Sequence, residues 1–489
     1  MNERPCHHRR VALPFDPSLI VAVLSVLLGV GTALHVVLHK RDVRAATGWV
    51  GLVLMFPLVG PLLYALFGVN RIRRRARALR GRGSTPSSAR QWVELPAVAS
   101  QPAMPPSRFA AIAYLVGRVV DLPLVGGNRV EPLVDGEGAY PPMLAAIAAA
   151  ERTLSLSTYI FDRDEAGEEF VAALAAAVAR GVAVRVLIDA MGARYSLPTV
   201  VGVLRRRGVR TARFMKSLAP WGLPRLNLRT HRKILVADGR VGFVGGINIR
   251  QGHRVQSRPK HPVRDLHFQV EGPIVPHLQA VFAADWAFTT GEELAGEAWF
   301  PEPRPAGDTL ARLIPDGPDE DLDKARWTLL GALAAARDSV KVLTPYFLPD
   351  QDLVTALAAA ALRGVEVEVL IPARSNLPYV QWASQGQLWQ VLEHGCRVWL
   401  APSPFDHSKM MLVDGGWAFV GSANWDPRSL RLNFELNVEL YDRALCRRLD
   451  ALFDDKRRDA REIVAEEWAG RPLPLRLRDG IARLALPYL

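Results

Sequence analysis

The pattern His-x-Lys-x4-Asp-x6-Gly-[Gly/Ser]-x-Asn occurs twice in this chain, and no other feature constrains its fold as tightly. It runs from His231 through Lys233, Asp238, Gly245 and Gly246 to Asn248. It runs again from His407 through Lys409, Asp414, Gly421 and Ser422 to Asn424. Six restricted positions make a chance match roughly one in 10^7 per start site. Flanking blocks repeat in the same order. Ser157-Thr158-Tyr159-Ile160-Phe161 parallels Leu343-Thr344-Pro345-Tyr346-Phe347, and the run from Arg180 to Ile188 parallels that from Arg363 to Ile371. The offset between the copies shrinks toward the C-terminus, as a duplicated domain with unequal insertions leaves it.

Within each copy, Ala-rich helical stretches alternate with short β-branched runs. Residues 167–180 read as a helix closed by Gly181, followed by a buried strand over 182–188. The second copy repeats this with 353–363, Gly364 and 365–371. Such alternation predicts an α/β sandwich with a parallel or mixed sheet.

The spacing of the duplicated pattern suits phosphoryl chemistry. On an extended segment, His and Lys two apart share one face. The imidazole then reaches phosphorus while the ammonium holds a phosphate oxygen. The glycine pair permits a tight turn that returns the Asn to the same place. Asp238 and Asp414 fall on the opposite strand parity, which points to a structural role, bonding backbone or a basic neighbour. Two copies facing each other would form one site. Lys233, Lys409, Asn248 and Asn424 would bind the phosphate and stabilise charge in the transition state. One histidine would attack and the other would act as acid and base. This chemistry calls for no metal and no cofactor. The two motifs are too alike for the sequence to say which histidine does which.

The duplicated motif resembles that of the phospholipase D superfamily. The resemblance implies two tandem phospholipase D-type α/β sandwich repeats forming one catalytic unit. It implies a catalytic set of His231, Lys233, Asp238, His407, Lys409 and Asp414, with His231 as nucleophile and His407 as acid/base. It also implies an acidic residue after each Asn that orients a histidine: Asp265 and Glu435 stand at those places. Within the superfamily, three segments resemble bacterial cardiolipin synthases. These are the apolar N-terminus, the blocks Thr344–Asp350 and Asn424–Ser429 with Asn433-Phe434-Glu435, and the C-terminal tail. That family transfers a phosphatidyl group from one phosphatidylglycerol to another and releases glycerol. Asn376 stands where an acidic residue is expected after a strand of the second repeat.

The net charge of +12 is distributed unevenly. Residues 1–90 hold 14 Lys/Arg against 3 Asp/Glu, and the rest is close to neutral. Two apolar runs lie in that segment, 19–38 and 48–69, the second with Pro57 and Pro61. They read as a two-helix transmembrane hairpin within residues 1–80. No small-residue cleavage site follows the first run, against a signal peptide. More arginines follow the second run than precede the first, which places the catalytic part on the cytoplasmic side. The resemblance implies a multi-pass protein of the bacterial cytoplasmic (inner) membrane, with phospholipids and membrane as partners. The arginines serve as a topology signal or bind anionic head groups. Cys6, Cys396 and Cys446 form no disulfide framework.

The expected organisation is a linker over 81–108, repeat 1 over 109–300, a Pro/Gly-rich linker over 301–318, repeat 2 over 319–470 and an amphipathic tail over 471–489. Two other functions compete. A phospholipase D hydrolysing phospholipids to phosphatidic acid uses the same site. A membrane-tethered nuclease needs a basic surface, which the nearly neutral remainder disfavours, so no nucleic acid is expected.

Overall fold

The computed structural model describes residues 17–40, 43–65, 105–194, 199–215, 228–318 and 321–484. The chain divides between residues 74 and 75 into two compact units.

In the N-terminal unit, helix Pro17–His39 is long and apolar enough to cross a membrane, and it is the only such helix among the described residues. The second apolar run, expected as one helix over 48–69, is broken instead. It forms helix Val43–Met55 and a short helix Val59–Leu63, and residues 66–69 lie outside the described residues. Pro57 explains the break, because it lacks an N–H and its ring clashes with the carbonyl four residues back. Gly60 then lets the short helix fold back onto the longer one. A Cβ there would meet Leu52 O at 2.6 Å.

The larger unit is built on one continuous mixed sheet in which the two repeats have the same strand order. In repeat 1 that order is Val125–Val134, Leu266–Glu271, Val241–Gly245, Ile234–Ala237, Thr153–Thr158, Ala183–Asp189, Arg210–Phe214. In repeat 2 it is Thr309–Asp316, Asn433–Tyr441, Trp417–Gly421, Met410–Val413, Ser339–Leu343, Glu366–Pro372, Arg397–Ala401. The first strands of the two repeats pair antiparallel and join the halves. One core runs across the boundary, with Phe214, Ile234 and Val244 packed in the same cluster as Phe434 and Leu436. The mixed α/β expectation holds. The predicted helices appear as Glu165–Ala179 and Gln351–Leu362, each followed by a glycine at positive φ, Gly181 and Gly364.

Two expected boundaries shift. The Pro/Gly-rich stretch 301–318 is not a linker throughout, since Thr309–Asp316 is a buried central strand. Proline and glycine at its edges masked an apolar core, Leu310-Ala311-Arg312-Leu313-Ile314. Repeat 1 does not begin at 109 in space. Phe109, Ile112, Ala113 and Val116 pack with Ala325, Leu329 and Leu333 of repeat 2, and Leu115 lies against Gly331. Arg108 meets Asp414 at 2.9 Å. Of the 81–108 linker, residues 81–104 lie outside the described residues.

Candidate active site

Each histidine is delivered by a two-residue strand that pairs with the other repeat. Arg229–Thr230 runs parallel to Asn433–Phe434, and Phe405–Asp406 runs parallel to Val263–Arg264. The pairing continues through the backbone, where His231 N donates to Phe434 O at 2.9 Å and His407 N donates to Arg264 O at 2.8 Å. The next residue on each partner segment is the expected carboxylate, Glu435 or Asp265. The His-x-Lys segments themselves lie just before strands Ile234–Ala237 and Met410–Val413 rather than within them.

The result is a pseudo-symmetric cluster. The His231 and His407 ring centroids are 6.1 Å apart with an interplanar angle of 82°. Nδ1 of His231 lies 2.9 Å from Glu435 Oε2, and Nδ1 of His407 lies 2.7 Å from Asp265 Oδ2. Nε2 of each ring is left for chemistry. Lys233 Nζ donates to His231 O at 2.6 Å, and Lys409 Nζ donates to His407 O and lies 2.7 Å from His407 Nδ1. Asn248 Oδ1 accepts from Ile160 N at 3.0 Å, which fixes the orientation of its amide. Tyr159 meets His231 edge-to-face at 5.4 Å, and Tyr346 meets His407 at 6.3 Å. Tyr346 also donates to Asn376 Oδ1 at 2.7 Å. His231, the lysines, the asparagines and both orienting carboxylates are buried, and His407 is half-buried.

Burial sets the electrostatics. It pulls the Lys233 ammonium down to about 7 and that of Lys409 to about 8. It lowers His231, against the pull of Glu435. It lowers His407 further, helped by Lys409 and Lys233. The two carboxylates diverge. Burial raises Asp265. Burial alone would also raise Glu435, but His231, Lys233 and Ser422 together hold it below its ordinary value. Ser422 Oγ donates to Glu435 Oε2 at 2.5 Å and Asn433 Nδ2 donates to Oε1 at 3.0 Å. The position equivalent to Ser422 is Gly246, where a Cβ would meet Asp265 Oδ1 at 2.1 Å. The Gly-Gly and Gly-Ser versions of the motif thus reflect the different seating of the two carboxylates.

Asp238 and Asp414, grouped with the catalytic set by the resemblance, do not join the cluster. They sit at the far ends of the strands that follow the lysines. Asp238 accepts from the backbone N–H groups of Glu151, Arg152 and Thr153 at 2.9, 2.8 and 2.8 Å. Asp414 does the same for Arg337, Asp338 and Ser339. Each opens an Asp-Gly turn with both residues at positive φ, the favoured hairpin geometry. The strand-parity reading agrees with this placement.

Sequence reasoning missed two supporting groups. His253 Nε2 accepts from Asn248 N at 3.3 Å while Nδ1 faces Val263 O at 3.1 Å, and burial lowers its pKa to about 3, so it is neutral. Asp189 Oδ2 accepts from Thr230 N at 3.0 Å, just before His231. Neither belongs to the duplicated pattern, so no sequence signal marked it. His267, buried and outside the duplicated pattern, has neither ring nitrogen hydrogen-bonded among the described residues.

Comparison with known proteins agrees with this geometry. A family model described as "Cardiolipin synthase, PLD-like domain" matches residues 143–286 and 329–457. One described as "Phospholipase_D-nuclease N-terminal" matches residues 20–68. A cardiolipin synthase of Geobacillus kaustophilus is 32% identical over 484 residues, covering 96% of this chain and 94% of its own. One from Listeria monocytogenes is 30% identical over 477 residues, covering 96% and 99%. Among solved structures, phosphatidylserine synthase of Haemophilus influenzae shares the fold, with a TM-score of 0.57 at 15% identity over 74% of this chain and 95% of its own.

Proposed function

Because the chain belongs to the phospholipase D-like cardiolipin synthase family, we propose that it moves a phosphatidyl group from one phosphatidylglycerol to a second and releases glycerol. The observation that carries this is the pairing of two histidines, each held at Nδ1 by a carboxylate of the other repeat, around one pocket with two lysines and two asparagines. In the first step the His231 Nε2 lone pair attacks phosphorus. The bond to the glycerol oxygen breaks, and His407 gives that oxygen its proton. In the second step the hydroxyl of the acceptor attacks the phosphohistidine, its proton passes to His407, and the P–N bond breaks. Lys233, Lys409, Asn248 and Asn424 hold the non-bridging oxygens throughout, where donors in a dry site count for most.

Glu435 favours His231 as the nucleophile. Its three donors keep it ionised, so it holds the Nδ1 proton of His231 and presents the lone pair at Nε2. An anionic diester between the two lysines offsets the charges that lower His407 and restores its affinity for a proton.

Membrane association follows from the relatives and the apolar helix Pro17–His39. We place both apolar runs in the bacterial cytoplasmic membrane, with the catalytic unit on the cytoplasmic side. The seven arginines between residues 71 and 82, against three before the first helix, support that orientation.

The test uses the purified full chain in phosphatidylglycerol micelles. Cardiolipin and glycerol are expected in equal amounts, and mass spectrometry of the quenched enzyme is expected to find a phosphatidyl group on His231. His231→Ala and His407→Ala should each abolish transfer. Full activity in either variant would falsify the two-histidine mechanism. Phosphatidic acid as the sole product would make the protein a hydrolase.

A further inference from the structure

Two arginines break the two-fold symmetry of the pocket. Arg229 stands two residues before His231, opposite Asn433 in the parallel register, and its Nη1 is buried without a hydrogen-bond partner. Arg428 stands four residues after Asn424, on the short helix Pro427–Arg431. Both side chains are half-buried. Burial and repulsion from Arg229 lower the Arg428 pKa, and the other groups acting on it are Asp426, Tyr159 and Tyr379. Tyr159 is the ring that meets His231 at 5.4 Å, and Lys233 Nζ lies over it at 5.8 Å. Arg229 by its place in the chain and Arg428 by its neighbours Arg229 and Tyr159 therefore lie on the His231 side of the pocket.

The carboxylates that attract these arginines, Asp426 and Asp189, also accept from backbone N–H groups. Asp426 Oδ1 caps its helix by accepting from Ser429 N at 2.7 Å. Asp189 accepts from Met191 N, Gly192 N and Thr230 N, and burial pushes its pKa up to about 6. Among the described residues, neither arginine has an ion pair. In the other repeat the position two before His407 is Phe405, whose ring lies 6.0 Å from that histidine, and the position four after Asn248 is Gly252. The equivalent positions on the opposite flank thus carry no cations.

Joining two anionic diesters brings two phosphates into one pocket. The lysines and asparagines accommodate one. The second carries a full negative charge into a buried site, where it needs its own cations. Paired guanidinium groups without an internal partner are suited to a phosphodiester, which accepts two parallel N–H bonds from each fork. We propose that Arg229 and Arg428 form an acceptor subsite that binds the phosphodiester of the second lipid while its glycerol hydroxyl reaches the phosphohistidine. This rests on the transferase reading above, and it names what would favour a charged lipid over water or a neutral alcohol as acceptor.

The test compares two acceptors on the same full-length enzyme. Phosphatidylglycerol micelles are supplied with ethanol, a neutral acceptor, and cardiolipin and phosphatidylethanol are measured together. Arg229→Gln and Arg428→Gln are each expected to lower cardiolipin formation about tenfold or more, the loss of one charge-assisted contact. Phosphatidylethanol formation is expected to stay within about twofold, because it needs only the donor site. Arg428→Lys should recover part of the cardiolipin rate. The phosphatidylethanol rate doubles as a check that each variant is folded. Equal loss of both products in Arg428→Gln and again in Arg428→Lys would mean that the arginines hold the donor, and would overturn the proposal. So would an unchanged product ratio. If the unmodified enzyme makes phosphatidylethanol but no cardiolipin, the cardiolipin synthase reading itself fails, which is a separate outcome.

Discussion

Glu435 and His231 belong to different repeats, yet their 2.9 Å contact is the best-supported hydrogen bond of the site. Ser422 and Asn433 add two more donors to the same carboxylate. Neither repeat can orient its own histidine, so one repeat alone is not half an enzyme. Glu435→Gln removes the charge and leaves the Nδ1 proton without an anionic partner. A kcat loss of about a hundredfold or more is expected, by analogy with other carboxylate-histidine pairs. Ser422→Ala should cost less, about tenfold, since two donors remain. Steady-state kinetics of cardiolipin formation checks both, and a Glu435→Gln enzyme with unchanged kcat would remove Glu435 from the mechanism.

The buried lysines make the activity sensitive to alkaline pH. With Lys233 near 7 and Lys409 near 8, the free enzyme loses the phosphate-binding charge as pH rises through that range. The expected profile of kcat/KM falls above about pH 8, while kcat holds to higher pH because bound phosphate raises both lysines. Stability follows the opposite sign. Each lysine has a lower pKa folded than unfolded, so the unfolded chain binds more protons between about 7 and 10.5 and these two groups make stability rise across that window. A kcat/KM that is flat to about pH 9.5 would contradict the charged-lysine role.

Much of this was readable from residues alone. The duplicated spacing pointed to both histidines, lysines and asparagines, and the family resemblance pointed to Asp265 and Glu435. The exchange of partners between repeats was not readable, because strands Arg229–Thr230 and Val263–Arg264 are two residues long and carry no periodic pattern. Strand Thr309–Asp316 was hidden by prolines on its flanks and at Pro315, where burial in the sheet centre outweighs local preference. The Asp-Gly pair in each motif was the overlooked hairpin signal at Asp238 and Asp414.

Those two aspartates should matter for stability and little for chemistry. Each satisfies three backbone N–H groups, so Asp238→Ala or Asp414→Ala is expected to cost about 2–4 kcal/mol. The left-handed φ of 50° and 52° adds to the strain of an alanine there. Thermal unfolding and kcat per folded molecule separate the two roles. A normal melting curve with lost kcat would return the aspartates to the catalytic set.

Gly246→Ala tests the seating of Asp265. The added methyl would meet Asp265 Oδ1 at 2.1 Å, and the carboxylate must move away from His407 Nδ1. The expected kcat loss is of the order of a hundredfold, similar to that of Asp265→Asn, with small additive effect when the two are combined. Fully additive losses would show that the glycine acts on something other than Asp265.

The C-terminal helix Leu473–Leu484 offers a test of where the pocket meets lipid. One side is fixed to the domain. Asp479 is buried, paired with Arg471 and Arg478 at 2.8 and 2.7 Å, and Ala482 packs against the cluster of Leu348, Val380 and Ala383 that includes Tyr346. The other side exposes Leu473, Leu477, Ile481 and Leu484 beside Arg476. Four apolar side chains on one face of a basic helix, joined through Tyr346 to the His407 side of the pocket, suit the surface of an anionic bilayer. A fluorophore at Leu477→Cys, in a full chain with Cys6 replaced, is expected to be quenched by lipids labelled high on the acyl chain. Leu477→Asp with Ile481→Asp should abolish that quenching in a matching label at Leu473→Cys. It should also lower cardiolipin formation several-fold at dilute surface lipid and less at high lipid, a KM effect rather than a kcat effect. Absence of quenching in the parent label would mean that this face does not rest on lipid.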